Sequence, residues 1–257
     1  MTARPSPMPA LETSALCKSF GALPVAQSID FRLAAGARHA LIGPNGAGKT
    51  TFINLITGRL APSSGRIHLG GEDITALSQA ARVKRGLGRT FQINQLFRGL
   101  SVLENVTLAV GERSGVAGDK LRFAGTNRAV VNEAYGLLEE LRIAEDARKP
   151  VKALAYGRQR LVEIAIALGL KPSVLLLDEP AAGVPSTESA IIFDVIERLS
   201  AGIAILIIEH DMDLVFRFAD KITVLVQGAV LVEGAPAEIA ADSRVREVYL
   251  GEADRRA

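Results

Sequence analysis

The sequence predicts an α/β protein whose sheet is largely parallel. Two uninterrupted apolar runs, Val174–Leu177 and Ile203–Ile208, are typical of strands that are buried on both faces. Strands of this kind alternate along the chain with segments of helical periodicity, and this alternation favours parallel pairing. A short strand at Arg38–Ile42 also runs directly into a glycine-rich turn, and a helix follows that turn.

The first part of the chain is predicted to be rich in strands. The run Ala15–Lys18 has a β-like composition, and Ile29–Leu33 alternates in character. Lys49–Thr57 is predicted to be helical because Gly58 follows it as a stop signal. A Pro-Ser-Ser-Gly turn precedes a further strand at Ser64–Leu69.

The rest of the chain is predicted to alternate helices with strands. Apolar residues from Leu161 to Leu168 recur at i, i+3, i+4 and i+7, which indicates a helix. The runs Ile222–Val226 and Ala229–Val232 flank Gln227-Gly228 and predict a hairpin. Further helices are predicted at about 77–87 and 101–109, at Asn132–Arg142 and at Thr187–Leu199, and residues 111–128 are predicted to form a glycine-rich insertion.

The length of 257 residues allows one large domain with an ample core. We predict a disordered, proline-rich stretch over residues 1–10 and a single domain over 11–254, with a helical subdomain at about 93–170. The net charge of +2 is too small to indicate nucleic acid as a partner, so we expect none.

The lone Cys17 cannot form an internal disulfide, which fits a reducing compartment. No apolar run reaches the ~18–20 residues that cross a bilayer, and the N-terminus lacks the apolar core of a signal peptide. We therefore expect a cytoplasmic protein that reaches the inner face of the cell membrane only through partners.

A phosphate-binding loop is predicted between the strand Arg38–Ile42 and the helix Lys49–Thr57. The residues Gly43-Pro44-Asn45-Gly46-Ala47-Gly48-Lys49-Thr50 match G-x-x-x-x-G-K-[ST]. Glycines let the backbone N–H groups turn toward a phosphate, and the helix N-terminus adds positive charge. Lys49 would reach the β- and γ-phosphates, and the Thr50 hydroxyl would bind Mg²⁺. A chance glycine-rich turn is the alternative, and the flanking strand and helix weigh against it.

Two carboxylates follow the apolar run Val174–Leu177. Ligands bind at the carboxyl ends of strands in open parallel sheets, and Asp178 and Glu179 lie at such an end. Asp178 is predicted to help hold Mg²⁺ through water, and Glu179 is predicted to polarise the attacking water. A surface acid pair is the alternative interpretation.

These motifs together resemble those of the nucleotide-binding subunit of ATP-binding cassette (ABC) transporters, over about residues 10–250. After the phosphate loop come RTFQ at Arg89–Gln92, LAYGRQR at Leu154–Arg160, LLLDEP at Leu175–Pro180 and EHD at Glu209–Asp211. The resemblance implies a P-loop NTPase (RecA-like) core with a largely parallel sheet, an antiparallel β subdomain and an α-helical signature subdomain.

The resemblance also implies ATP and Mg²⁺ as ligands and ATP hydrolysis as the activity. Glu179, His210 and Lys49 are the implied catalytic residues, with His210 as the switch histidine. Thr50, Gln92 and Asp178 are the implied metal residues. The implied nucleotide contacts are Phe20 against adenine, then Gly43, Pro44, Asn45, Gly46, Ala47, Gly48, Lys49, Thr50, Thr51 and Gln92, with Ala155, Tyr156 and Gly157 acting on a second subunit's nucleotide.

The stretch LAYGRQR matches the family's signature, whose helix start faces the phosphates bound by the other subunit of a head-to-tail dimer. Gly157 would allow close backbone approach there, and N–H groups would face the γ-phosphate. Compared with the usual L-S-G-G-Q, Ala155 replaces serine, Tyr156 the first glycine and Arg158 the glutamine. Pro185 stands where the family usually has Asp or Asn.

Several strings are similar to the branched-chain amino acid import branch of the family. They include GRTFQ, SVLENV, LAYG, DEPAAG, EHDMDLV and the tail YLGE. This similarity implies a second ATPase subunit, identical or paralogous, two membrane permeases and a periplasmic solute-binding protein. A urea or amide importer, a lipopolysaccharide-type exporter and a soluble ABC ATPase outside transport remain alternatives.

Overall fold

The computed structural model describes residues 8–90, 96–115 and 127–253. The chain divides into two compact units. One comprises Met1–Leu87 with Ala201–Ala257, and the other comprises Gly88–Ser200. The predicted helical subdomain at about 93–170 falls within the second unit. No helix in the described parts of the chain is long and apolar enough to cross a membrane.

The first unit contains an antiparallel sheet of four strands in the order β2-β1-β4-β5. Leu11 pairs with Leu33 on one side and with Leu69 on the other, and all three side chains are buried. This sheet is the predicted antiparallel β subdomain. Its strands are β1 (Leu11–Phe20), β2 (Leu23–Leu33), β4 (Ser64–Leu69) and β5 (Glu72–Asp73).

The first unit also contains strands in the order β10-β9-β3-β8. β3 pairs in parallel with β8, as the apolar run Ile203–Ile208 predicted, and also with β9. β9 and β10 form the predicted antiparallel hairpin. The strands are β3 (Arg38–Ile42), β8 (Ala204–Ile208), β9 (Lys221–Val226) and β10 (Ala229–Gly234). The helices of this unit are α1 (Lys49–Thr57), α2 (Gln79–Lys84), α7 (Met212–Phe218), α8 (Pro236–Ala241) and α9 (Ser243–Ala253).

The second unit is mainly helical. Three helices pack on one another, namely α3 (Val102–Arg113), α4 (Arg128–Glu140) and α5 (Tyr156–Gly169). A further helix, α6 (Ser186–Glu197), packs against α5. Strand β7 (Val174–Asp178) is completely buried and neighbours β6 (Leu87–Arg89). Short 3₁₀ turns at Ala144–Asp146 and Val151–Ala153 join α4 to α5.

Two predicted segment boundaries were wrong. Strands β1 and β2 are much longer than the predicted Ala15–Lys18 and Ile29–Leu33. The prediction was too short because bulges interrupt the alternation of apolar and polar residues along both strands. Ala15 and Ser28 have positive φ angles, at 45° and 49°. Helix α3 continues through Arg113, so it includes the first residues of the insertion or loop predicted at about 111–128. Residues 116–126 lie outside the described residues.

The Arg82 side chain closes the C-terminal end of α1. It is 1% exposed, and its guanidinium donates hydrogen bonds to the carbonyls of Leu55 and Ile56 at 2.7 and 2.5 Å. It also donates to the carbonyls of Thr75 and Leu77 at 2.9 and 3.1 Å. The last carbonyls of a helix lack partners within the helix and carry partial negative charge, so a buried cation is favourable there.

We expect Arg82→Met to lower the free energy of unfolding by about 2–5 kcal/mol, because it leaves buried carbonyls without donors. Denaturant-induced unfolding followed by circular dichroism measures the change. Arg85→Met is the matched control: Arg85 pairs with Glu72 at 2.8 Å on the surface, and its loss should cost less than about 1 kcal/mol. Equal effects of the two substitutions would contradict the role given to Arg82.

His39, a residue of β3, lies in a buried polar network. The centre of its ring is 4.9 Å from the centre of the Phe31 ring, and Nε2 lies 2.8 Å from the Thr223 hydroxyl oxygen. That hydroxyl in turn donates to Glu233, which also pairs with Lys221. Burial lowers the pKa of His39 to about 4, and the nearby Glu233 carboxylate only partly offsets this shift. The folded protein therefore holds His39 neutral at neutral pH.

The shifted pKa of His39 predicts a pH-dependent stability. Between pH 6.5 and about 4 the His39 imidazole is protonated in the unfolded chain and neutral in the folded chain. The contribution of His39 is therefore complete above pH 6.5 and falls by about 3 kcal/mol as the pH drops to about 4. Unfolding free energies measured at several pH values should show this slope, and His39→Gln should remove it. A slope that persists in His39→Gln belongs to other groups.

Candidate functional site

The loop between β3 and α1 wraps around the amino group of Lys49. Nζ donates hydrogen bonds to the carbonyls of Gly43 and Pro44, at 2.5 and 3.0 Å, and the side chain is buried. Helix α1 begins at Lys49, its N-cap Gly48 provides no side-chain cap, and its first turn has no acidic residue. Its first N–H groups and the Lys49 ammonium therefore form a positive end, which is the environment that a phosphate requires.

Two glycines of this loop lie where a side chain has no room. A Cβ atom on Gly43 would approach the Leu225 carbonyl oxygen to 2.2 Å, and one on Gly48 would approach the Val25 carbonyl oxygen to 2.9 Å. The β9–β10 turn supports the loop directly, because Gly228 N–H donates to the Ala47 carbonyl at 2.9 Å. The sequence motif predicts glycine at these positions because of phosphate binding. The tertiary structure gives a second reason, since strand carbonyl oxygens leave no room for a side chain at Gly43 and Gly48.

Glu209 and His210 leave the same edge of the sheet as the phosphate loop. Leu41 in β3 is level with Ile208 in β8, and the two strands are parallel. Glu209 is buried and accepts a hydrogen bond from the His210 N–H at 3.1 Å, while the His210 side chain is exposed. Asp211 caps α7 by accepting from the N–H groups of Asp213 and Leu214. The EHD string thus ends a strand beside the phosphate loop and starts a helix.

In the second unit, Asp178 ends β7 and Glu179 follows it in a left-handed conformation with φ of 50°. This conformation is uncommon for a non-glycine residue, and such strain is concentrated at functional sites. Asp178 is buried and its Oδ2 accepts a hydrogen bond from Arg89 Nη2 at 2.8 Å. The role of Arg89 was missed from the sequence because no spacing rule relates it to a residue 89 positions away.

The residues predicted to hold Mg²⁺ offer suitable donors. The Asp178 carboxylate and the exposed Thr50 hydroxyl are hard oxygen ligands, which Mg²⁺ prefers. No group of three or more His, Cys, Asp or Glu side chains with metal-binding arrangement occurs among the described residues. A nucleotide-bound Mg²⁺ needs no such cage, because phosphates and water complete its shell. The predicted Gln92 lies outside the described residues.

Helix α5 begins where the LAYGRQR stretch predicted. Ala155 is its N-cap and makes no side-chain cap, and no acidic residue lies in the first turn. A Cβ on Gly157 would lie 2.4 Å from Glu188 Oε2 and 3.3 Å from a Val184 methyl group. Since the Glu188 side chain can swing away, packing within the chain does not by itself demand glycine at this position.

The unusual signature residues have partners within the second unit. Arg158 forms ion pairs with Glu145, at 2.8 Å, and with the buried Asp146. The Tyr156 hydroxyl accepts a hydrogen bond from Arg160 at 2.7 Å. The ion pairs of Arg158 fix the start of α5 to the 3₁₀ turn at Ala144–Asp146, whereas the Tyr156–Arg160 bond lies within the helix.

Phe20 lies at the end of β1 with 53% of its surface exposed. It is not a core residue, so the ring is accessible to a planar ligand. The Lys18 ammonium lies 5.2 Å from the centre of the ring.

The sequence profile of the ABC transporter family matches residues 26–182. The chain therefore belongs to the ABC transporter family. A second profile, described as branched-chain amino acid ATP-binding cassette transporter, matches residues 229–255. The predicted family, the fold class and the ATPase class of this ABC protein are thereby confirmed, and nucleotide binding follows from them.

Relatives of this ABC cassette match it along nearly their whole length. The high-affinity branched-chain amino acid transport ATP-binding protein BraF of Pseudomonas aeruginosa is 37% identical over 252 residues, which cover 95% of this chain and 99% of BraF. LivG of Escherichia coli K12, with the same description, is 36% identical with the same coverage. A crystal structure of an ABC transporter cassette in its ADP conformation superposes with a TM-score of 0.84 at 32% identity, covering 95% of this chain and 99% of that one.

Two loop glycines should respond differently to alanine. A Cβ on Gly46 meets nothing within 4 Å, so Gly46→Ala should cost only the strain of its φ angle of 79°, about 1 kcal/mol. Gly43→Ala forces a strand carbonyl aside and should cost about 1–3 kcal/mol more. Thermal unfolding of both variants without nucleotide tests this order. Equal losses of stability in the two variants would show that close packing against the Leu225 carbonyl does not constrain the loop at Gly43.

Proposed function

We propose that this ABC cassette hydrolyses ATP to energise the import of branched-chain amino acids. The proposal is supported by BraF and LivG, whose names state that transport, and by the matching tail at residues 229–255. The full importer would contain a second ATPase subunit, identical or paralogous, two integral-membrane permeases and a periplasmic solute-binding protein. The cassette would then lie at the cytoplasmic face of the membrane, held there by the permeases.

The phosphate loop is the observation on which the proposed ATP site rests. Backbone N–H groups between Gly43 and Thr51, other than at Pro44, which has none, and the Lys49 ammonium would bind the β- and γ-phosphates. The exposed Phe20 ring would stack on adenine, worth about 1–3 kcal/mol by analogy with base stacking. The loop carbonyls hold the Lys49 ammonium in place, and a preorganised cation of this kind favours phosphate binding.

Hydrolysis would use the acidic and histidine residues at the strand ends. Glu179 would polarise the attacking water, and His210 would contact the γ-phosphate and hold that water in place. Thr50, Asp178 and Gln92 would hold Mg²⁺, which supplies charge that stabilises the phosphates. The left-handed backbone of Glu179 supports a functional role, since strain of this kind is concentrated at functional sites.

The start of α5 is proposed to act on ATP bound by the neighbouring subunit. Residues Ala155, Tyr156 and Gly157 expose an uncapped helix N-terminus, which attracts a phosphate without side-chain chemistry. ATP would therefore join two subunits head to tail, and hydrolysis would release them. Movement of these surfaces would be passed to the permeases.

Reconstitution tests the proposed cargo. The cassette is assembled with its permeases in lipid vesicles, and ATP hydrolysis is measured with the solute-binding protein loaded with leucine, isoleucine or valine. We expect these ligands to stimulate hydrolysis and to be taken up with it. Stimulation by urea or an amide, and not by the branched-chain amino acids, would assign the cassette to a different importer.

We expect Glu179→Gln to retain ATP binding and to reduce turnover by about 10²–10⁴-fold, the usual effect of losing a general base. The same variant should accumulate as a dimer in Mg-ATP, detected by size-exclusion chromatography with light scattering. Lys49→Ala is the matched control and should lose tight nucleotide binding and the dimer together. Normal hydrolysis by Glu179→Gln would exclude Glu179 as the base, and a strictly monomeric Glu179→Gln in saturating Mg-ATP would refute the shared site.

A further inference from the structure

A buried ion pair joins the ends of two neighbouring strands in the second unit. Arg89 is the last residue of β6 and Asp178 is the last residue of β7. Their side chains are 9% and 2% exposed, and Nη2 to Oδ2 is 2.8 Å. The backbones of the two strands are in direct contact, because Thr90 N–H donates to the Leu176 carbonyl at 3.0 Å. The pair is therefore held on a rigid part of the unit.

The approach of the two strands is very close. A Cβ on Gly88 would lie 3.0 Å from Pro172 and 3.4 Å from a Leu175 methyl group. Glycine at this position lets β6 lie against β7, and the next residue, Arg89, then reaches the carboxylate at the end of the neighbouring strand. The geometry of the pair is thus set by the backbone and by packing.

Stability alone is a poor explanation for such a pair. Removing two charges from water costs several kcal/mol per ion, and a well-packed apolar pair of the same volume is often as stable. A carboxylate that binds a metal ion has a different need, since it must stay ionised and point in one direction. Carboxylates at metal sites are commonly held by a second hydrogen-bonding group for that reason.

We infer that Arg89 is a positioning residue for Asp178, and that it fixes the carboxylate in the orientation needed for Mg²⁺. This inference rests on the proposed function, in which Asp178 helps to hold Mg²⁺ with ATP. Arginine suits the role because its planar guanidinium donates in a fixed direction and stays charged. Lysine keeps the charge but has no planar fork, so it cannot hold the carboxylate in the same fixed direction.

The test separates nucleotide binding from metal binding. A fluorescent ATP analogue is titrated into wild-type protein, Arg89→Met and Arg89→Lys, first with EDTA and then at increasing Mg²⁺. We expect all three proteins to bind nucleotide equally in EDTA. The Mg²⁺ concentration at half-maximal enhancement should rise about 10–100-fold in Arg89→Met, the usual effect of losing a group that orients a metal ligand. Arg89→Lys should lie between the two.

Arg113→Met is the matched control, because Arg113 also pairs with an acid in the second unit, Glu133 at 2.6 Å, and that acid has no proposed metal role. Its Mg²⁺ dependence should equal that of wild type. Mn²⁺ in place of Mg²⁺ gives an independent readout, since its electron paramagnetic resonance spectrum should differ between wild type and Arg89→Lys. If Arg89→Met does not fold, the Mg²⁺ midpoint of Arg89→Lys, which retains the positive charge, is compared with that of wild type.

Three results would overturn the inference. The first is an unchanged Mg²⁺ midpoint in both Arg89 variants. The second is an equal loss of nucleotide binding with and without Mg²⁺, which a merely structural role produces. The third is a lower Mg²⁺ midpoint, which would mean that Arg89 competes with the metal. If nucleotide binding by the wild-type protein does not depend on Mg²⁺, the proposed metal role of Asp178 fails as well. If it does depend on Mg²⁺ and the midpoint is unchanged in both Arg89 variants, only the inference about Arg89 fails.

Discussion

The confinement of the phosphate loop between two strands is the constraint on which the rest of the first unit depends. The carbonyls of Val25 and Leu225 approach Gly48 and Gly43 so closely that no Cβ fits. The loop then closes on the Lys49 ammonium through its own carbonyls. Close packing thus gives a glycine-rich sequence one defined shape, and preorganised donors are what phosphate binding and phosphoryl transfer require.

Helix α1 continues this arrangement into the core. Its N-terminal N–H groups have no side-chain cap, whereas its C-terminal carbonyls are bound by the buried Arg82. The helix is therefore stabilised at one end by the protein and left positive at the other, where a phosphate is proposed to bind. The edge contact between Phe52 in α1 and Phe31 in β2, with ring centres 5.4 Å apart, fixes the helix on the antiparallel sheet.

The chemistry of both units is concentrated where buried strands end. In the first unit, the phosphate loop and Glu209-His210 leave the same edge because β3 and β8 are parallel and level. In the second unit, the same principle places Asp178 and Glu179 at the end of β7, beside Arg89. Strand interiors are apolar and rigid, so a polar group at a strand end is held firmly and remains close to solvent.

The sequence by itself determined the fold class, the phosphate loop, the acidic strand end and the start of the signature helix. These features depend on local pattern and chain order: apolar runs, glycine spacing and helical periodicity act over a few residues. The lengths of β1 and β2 could not be read locally, because bulges at Ala15 and Ser28 break the alternation. Only the tertiary structure paired Arg82 with the end of α1, Arg158 with Asp146, and Arg89 with Asp178. The partner of such a charged side chain is determined by which residues lie nearby in the folded structure, and the local sequence pattern does not indicate which residues these are.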